Sequence, residues 1–487
     1  MSQVEHRAER SFAIKGTLVF TAQRDQFTIM EDAYLVCEGK KVAGAYETLP
    51  DRYRQVDVLD MGGKFVIPGT CDIHVHASQA SFQGIGQNIE SGQWNTWFDR
   101  YAFPDESRFN DIAYAEQAYT RFAKSLLATP TTRLCAYATT SREATEILMK
   151  VLAKYGFAGY VGKVNMDRNS LPGLLETTRE TIAQTRLWLE ETKNGIGAIY
   201  PILTPRYFPS CTESCLQQLG QLAAEYRVPV QSHLSEGLDE IDWVRELAPD
   251  LDFYAQAYDR AGLLGPQTQA VMAHCIFSSP EEVETLKRRN VIVAHCPQSN
   301  MNSCGCAAPI MDYLDAGIAV GLGTDVGGGN TLNMFRTMFE AILASKVFWA
   351  SKNGARNMDQ RKVLSLPNAF YLATKGGGAL WKSGSFDSNG DVFDMNSFVF
   401  ASEDGMQEIE CYIGKTTDCE KYASNLNVNE YERSQVNGID VFICQYKDST
   451  ETCLFSILNI NGCDVIMMSN NIDKQMFLSA LKSLTGN

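Results

Sequence analysis

KFVIPGTCDIHVH, residues 64–76, decides the fold: a short apolar run ends in two histidines one residue apart, after a Pro-Gly turn. Seven further short apolar runs follow it. They are RLCAYAT (133–139), AGYVGKV (158–164), GAIYPILT (197–204), VPVQSH (228–233), AVMAH (270–274), VIVAHC (291–296) and IAVGLGTD (318–325). Between them lie stretches of helical pattern with readable starts. Thr140 with Glu143 and Ser279 with Glu282 have capping-box spacing, and Pro280 suits a first helical turn. Eight short strands alternating with helices predict an α/β chain built on a (β/α)8 barrel, a fold of roughly 250 residues that 68–383 accommodate with insertions.

Outward from the barrel the texture changes on both sides. Residues 12–67 read as antiparallel strands (SFAIKGTLVFTAQ, AYLVCEGKKVAGAY with a turn at Glu38-Gly39-Lys40, VDVLDMGGKFVIPG), so 1–67 is expected to form a small N-terminal β-sheet region. Beyond residue 384 proline, tryptophan and histidine disappear and Arg433 is the single arginine, which places a domain boundary there. The tail, 384–487, still alternates like a sheet in GIDVFICQY, CLFSILNI and CDVIMMS and closes on a helix-like IDKQMFLSALKSL, an α+β appendage without a chemistry-bearing motif. The connection 77–109 carries Phe82, Trp94, Trp97, Phe98, Tyr101 and Phe103; it reads equally as a lid or subunit contact and as core packing.

Composition narrows the partners. A net charge of -15 opposes a nucleic-acid backbone or an anionic membrane. Lysines and arginines sit beside acids, as where Glu281, Glu282 and Glu284 precede Lys287, Arg288 and Arg289, a pattern that reads as a solvated helix face. MSQVEHRAER has no apolar signal-like core behind it and no run reaches membrane-spanning length, so a cytoplasmic protein is expected. The 14 cysteines then read as free thiols, many inside strand-like runs (Cys37, Cys135, Cys275), and the Cys304/Cys306 pair as a small-residue loop in preference to a metal site.

Chemistry concentrates where the strands end. Of six histidines, His74, His76, His233, His274 and His295 stand at or next to the end of an apolar run; His6 does not. In a barrel the C-terminal strand ends converge on one face, where active sites are built. His74 and His76 project from the same side of the first strand. His233 on the fifth strand and Asp325 after the eighth complete a three-nitrogen, one-oxygen set for a single first-row ion, zinc by default with iron as the alternative. Such an ion with an open position lowers the pKa of bound water to about 7. His274 fits hydrogen bonding to the hydroxide and the tetrahedral oxygen, and Glu236, three residues past His233, fits a proton shuttle. His295 reads as a supporting or packing residue.

These segments resemble the amidohydrolase superfamily and, within it, the guanine deaminase family. The resemblance rests on PGTCDIHVHASQ (68–79), WFDRYAFPDESRF (97–109), ILTPRYFPSC (202–211), QSHLSE (231–236), MAHCIFSSPEE (272–282), VIVAHCPQSN (291–300) and GLGTDVGGG (321–329). It implies a metal held by His74, His76, His233 and Asp325, proton transfer by Glu236 with His274 assisting, and a purine held by Gln79, Arg206, Tyr207, His233 and Glu236. Implied too are hydrolysis of guanine to xanthine and ammonia, and a homodimer. Other deaminations (another purine, a pterin or a triazine) and a non-catalytic barrel scaffold are the competing readings. In that family the chain returns after the barrel to complete the N-terminal sheet; here only GSFDSNGDVFDMNSFVF (384–400) resembles that return.

Overall fold

A computed structural model describes residues 11–38, 41–85, 94–265, 268–354, 356 and 358–381, and six strands in the tail. The chain divides into two compact units, residues 70–386 and residues 1–69 with 387–487.

In the second of these, β1 (Phe12–Gln23), β2 (Gln26–Glu38) and β3 (Lys41–Tyr46) run antiparallel in sequence, and β4 (Asp57–Val66) lies parallel to β1. The barrel unit contains β5 (Thr70–His76), β6 (Thr131–Tyr137), β7 (Ala158–Gly162), β8 (Val164–Asn165), β9 (Ala198–Pro201), β10 (Thr204–Pro205), β11 (Val230–Leu234), β12 (Ala270–His274), β13 (Ile292–His295) and β14 (Ala319–Leu322). All eight predicted runs therefore become strands. The tail supplies β15 (Ser397–Ala401), β16 (Glu408–Gly414), β17 (Val428–Val436), β18 (Ile439–Tyr446), β19 (Thr452–Ile460) and β20 (Cys463–Asn470). β15 pairs antiparallel with β4, Phe400 opposite Val66, so the chain does return to the N-terminal sheet. The resulting order is β17-β18-β19-β20-β16-β15-β4-β1-β2-β3. The helix expected over IDKQMFLSALKSL lies outside the described residues.

Two parallel ladders, β5-β6-β7-β9 and β11-β12-β13-β14, form the barrel wall. One seam closes at Leu203, which donates to the Pro229 carbonyl (3.0 Å) and accepts from the Gln231 amide (2.9 Å). At the other, Asp325 donates to the His74 carbonyl and His76 to that of Val326, both at 2.9 Å. The lower interior is filled by residues two apart on their strands, Cys71 and Ile73, Val271 and Ala273, Ile292 and Ala294, with Leu380 and Trp381 packed among them. At Gly321 a Cβ would meet the Gly377 Cα and the Ile73 side chain at 2.7 Å, so only glycine permits that approach.

Three local readings need correction. The helix Arg142–Lys154 is capped by Ser141, whose hydroxyl accepts from the Ala144 amide, one residue beyond the predicted Thr140. Ser279 does cap the helix Pro280–Arg288, but its Glu282 partner turns inward. Glu282 is buried and takes hydrogen bonds from the Ser235 hydroxyl (2.6 Å) and the Ala255 amide (2.7 Å), so it leaves the solvated face expected of its charge run.

Candidate active site

The ladder between β5 and β6 slips between Asp72 and Val75. A bulge of this kind re-aims side chains. Below it Cys71 and Ile73 belong to the interior cluster, and above it His74 and His76 belong to the site. Asp72 anchors the bend: its carboxylate accepts from the Thr324 amide (3.0 Å), from the Thr324 hydroxyl and from the His74 amide (3.3 Å). At or just past the strand ends, Ser235, His274, Cys275 and Asp325 all have left-handed backbone (φ 50, 72, 47 and 49°). Non-glycine residues in that region carry strain that the surroundings must hold, and such residues gather at functional sites.

The structure brings the predicted ligands together. Ring nitrogens of His74, His76 and His233 lie within 4.8 Å of one another, with the Nε2 atoms of His76 and His233 3.2 Å apart. Asp325 Oδ1 is 3.1 Å from His74 Nε2 and 3.4 Å from His76 Nε2. His233 Nδ1 is 2.6 Å from the Arg206 carbonyl, which only accepts; Nδ1 therefore carries the proton and Nε2 presents its lone pair to the cluster. Burial drives the pKa of His76 and His233 well below the usual histidine value, leaving neutral imidazoles. His76 Nδ1 is buried without a hydrogen-bond partner. Neutral, buried, converging nitrogens beside a carboxylate are the donor set a first-row divalent ion requires, so these residues fit a metal.

Around that set the acid–base groups differ sharply. Burial raises the pKa of Glu236 well above the carboxylate range, with Asp325, Glu240 and Asp239 adding to the rise and Arg206 opposing it. For Asp325 burial also pushes upward, but His74, His274 and His76 outweigh it and hold the carboxyl well below its ordinary value. Two nearby carboxyls pushed in opposite directions are the signature of divided acid and base roles. His274 Nε2 stands 3.4 Å from Glu236 Oε2 and 4.0 Å from Asp325 Oδ2, while its Nδ1 meets Asn300 Oδ1 at 2.8 Å. Burial lowers His274 to about 4 and His295 to about 3. His295 is fully enclosed, and its carbonyl accepts from the Gly323 amide.

Arg206 and Tyr207 line one cavity with His233 and Glu236, and Glu106, unforeseen from the sequence, joins Arg206 to Gln79. The Glu106 carboxylate accepts both Arg206 Nη atoms (2.7 and 3.1 Å) and Gln79 Nε2 (2.7 Å), and all three side chains are buried. Gln79 Oε1 in turn accepts from the Gly327 amide at 3.0 Å. Phe98, Arg206, Tyr207, His233, Glu236, Asp239, Glu240 and Trp243 line a cavity at this face. The guanidinium lies 5.2 Å from the Phe98 ring centre, and that ring stacks on Phe103. The aromatic insert thus walls the cavity.

Cys296 was not foreseen either. Its sulfur falls within 4.8 Å of ligand atoms of His74, His274 and Asp325, but burial holds the thiol protonated, far above its usual pKa, where it is a poor ligand. Among the described residues Cys304 and Cys306 belong to no metal-type grouping; the Cys304 thiol donates to the Glu236 carbonyl at 3.0 Å.

The sequence profile of the amidohydrolase family matches residues 65–377. A guanine deaminase of Dictyostelium discoideum is 36% identical over 324 residues, 66% of this chain and 70% of that relative. One from Rattus norvegicus is 32% identical over 382 residues, covering 76% and 82%. The crystal structure of a guanine deaminase from C. acetobutylicum with bound guanine in the active site superposes with a TM-score of 0.74 at 40% identity, over 80% of this chain and 91% of that one.

Proposed function

From the premise that this chain belongs to the amidohydrolase family, we propose that it hydrolyses guanine to xanthine and ammonia. The observation that carries the reading is the pairing of a converging histidine and aspartate set with the buried Gln79–Glu106–Arg206 clamp facing it. Amidohydrolases are metal-dependent, and zinc, one ion per chain, is the ion that best suits three imidazoles and one carboxylate. His74, His76, His233 and Asp325 would hold it, and once bound it would lower the pKa of water to about 7.

The remaining work belongs to the chain. Arg206 and Gln79 offer N–H donors to the purine's acceptors, and Tyr207 lies against the ring, so that the carbon bearing the exocyclic amine faces the histidine cluster. Holding the two reactants in that geometry removes much of the entropic barrier. Glu236, with Asp325 beside it, takes the proton of the attacking water. It passes that proton to the ring nitrogen next to the carbon attacked, then relays the remaining proton of the hydroxyl now on that carbon to the amine, which leaves as ammonia as the carbonyl forms. His274, neutral with its Nδ1 proton given to Asn300 Oδ1, presents its Nε2 lone pair 3.4 Å from Glu236 and accepts a hydrogen bond from the attacking water and from the hydroxyl that forms on the ring carbon.

A panel of guanine, adenine, a pterin and a triazine tests the substrate: guanine is expected to give the highest kcat/KM, and a higher value on any other member would overturn the assignment. A homodimer is part of the same reading. Phe339, Leu343 and Val347, four residues apart on the helix Met334–Asn353, form an exposed apolar stripe that a second copy would cover. Light scattering should return about twice 54.1 kDa and, after Val347→Glu, the single-chain mass; a parent of single-chain mass contradicts this. No helix among the described residues is long and apolar enough to cross a membrane. The cytoplasm is the compartment that suits the free, buried thiols of Cys71, Cys135, Cys211, Cys215 and Cys275.

A further inference from the structure

The proton shuttle sits on a strained turn, and the structure shows what holds that turn in place. Ser235 has φ 50°, and Glu236 and Gly237 follow it before the helix Leu238–Leu247 begins. A carboxylate from that helix, Glu240, reaches back: its Oε2 accepts from the amides of Glu236 (2.9 Å) and Gly237 (3.3 Å). Its Oε1 accepts from the Tyr254 hydroxyl at 2.9 Å, and the same hydroxyl accepts from the Phe208 amide at 3.1 Å. One continuous path therefore runs from the backbone of the shuttle to the backbone that follows Arg206 and Tyr207. A second carboxylate closes the frame, since Glu282 ties the Ser235 hydroxyl to the Ala255 amide, next in sequence to Tyr254. Tyr254 is 3% exposed and packs with its ring 5.7 Å from that of Tyr258.

We propose that Glu240 and Tyr254 are positioning residues that fix the separation between the proton shuttle Glu236 and the purine-holding segment Arg206–Phe208. The inference rests on the guanine deaminase reading and adds to it. A general base must lie within about 2.6–3.2 Å of the proton it takes, and a displacement of about 1 Å costs roughly a hundredfold in rate. Arg206 has its own support in Glu106, so loosening the brace moves the shuttle more than it moves the purine. Turnover should suffer while substrate binding is preserved. A role confined to stability would instead lower the amount of folded enzyme without altering turnover per folded molecule.

The test uses the full metal-loaded chain with Tyr254→Phe, Glu240→Gln, Glu240→Ala and the double variant Tyr254→Phe/Glu240→Gln, scored per folded, metal-containing molecule. Tyr254→Phe keeps the ring and its packing, so it remains informative if the Glu240 variants fold poorly. Its kcat on guanine is expected to fall about 10–100-fold with KM within about threefold. Glu240→Gln, which can still accept one amide, should retain more activity than Glu240→Ala. The double variant should be no slower than the worse single one, as for two members of one path. Amide hydrogen exchange at Glu236 and Gly237 should quicken in every variant. Unchanged kcat in Tyr254→Phe and Glu240→Gln, or a raised KM with kcat intact, would overturn the inference while leaving the function standing. A parent chain without guanine turnover would overturn the function and the inference together.

Discussion

Glu236→Gln should abolish most turnover of guanine while leaving the metal in place. The amide is isosteric but cannot accept and return a proton, and a positioned general acid–base typically contributes about 10²–10⁴-fold. A loss in that range is expected in kcat, with KM little changed, because the variant keeps the cavity wall and every proposed metal ligand. The direction of the carboxyl's shift adds a second signature. Burial holds the Glu236 pKa well above the usual range, as a group that both takes and gives a proton near neutrality requires. Metal analysis of the variant should match the parent. Loss of metal along with activity would mean that Glu236 holds the ion, and a kcat within about threefold of the parent would remove it from the mechanism.

The second large effect is expected at the clamp. Arg206→Met leaves the Glu106 carboxylate buried at 1% exposure with its cationic partner gone, retaining Gln79 as a donor. Breaking a buried ion pair from one side costs about 3–5 kcal/mol of stability. Losing a charged hydrogen bond to substrate removes about 1.5–3 kcal/mol of binding, which converts to roughly a 10–150-fold fall in kcat/KM. Denaturant unfolding and steady-state kinetics on the folded fraction separate the two effects. Glu106→Gln should reproduce the kinetic loss in part, since Arg206 and Gln79 then lose the negative charge and one of the two oxygens that hold them. An Arg206→Met enzyme with parental kcat/KM would show that the guanidinium is a structural ion pair and does not hold the purine.

Legibility in the sequence tracked how local each signal is. The barrel could be read because every strand is a short apolar run with its own turn signals, and the metal set because its three histidines and Asp325 stand at the ends of such runs. The bulge that brings both His74 and His76 into the site was hidden, since it shows only in the ladder with β6. Gln79, Arg206 and Tyr207 had no periodicity or spacing to mark them and came through resemblance alone. Glu106 escaped because its partners lie 27 and 100 residues away; the available hint was an acid in the first turn of a helix inside the most aromatic stretch of the chain. Glu282 and Glu240 misled or passed unnoticed for a related reason. Each stands in an acidic helix start that looks solvated, and only the fold turns its carboxylate onto the Ser235–Gly237 turn. In the tail the alternation of β18, β19 and β20 was legible, whereas the pairing of β15 with β4 joins strands more than three hundred residues apart.

The most direct test of the central claim is the conversion of guanine by the purified chain loaded with one zinc per molecule, followed as xanthine formed against ammonia released. Equimolar xanthine and ammonia, lost on chelation and restored by zinc, is the predicted result. A folded, fully metal-loaded protein that leaves guanine unchanged would contradict the account.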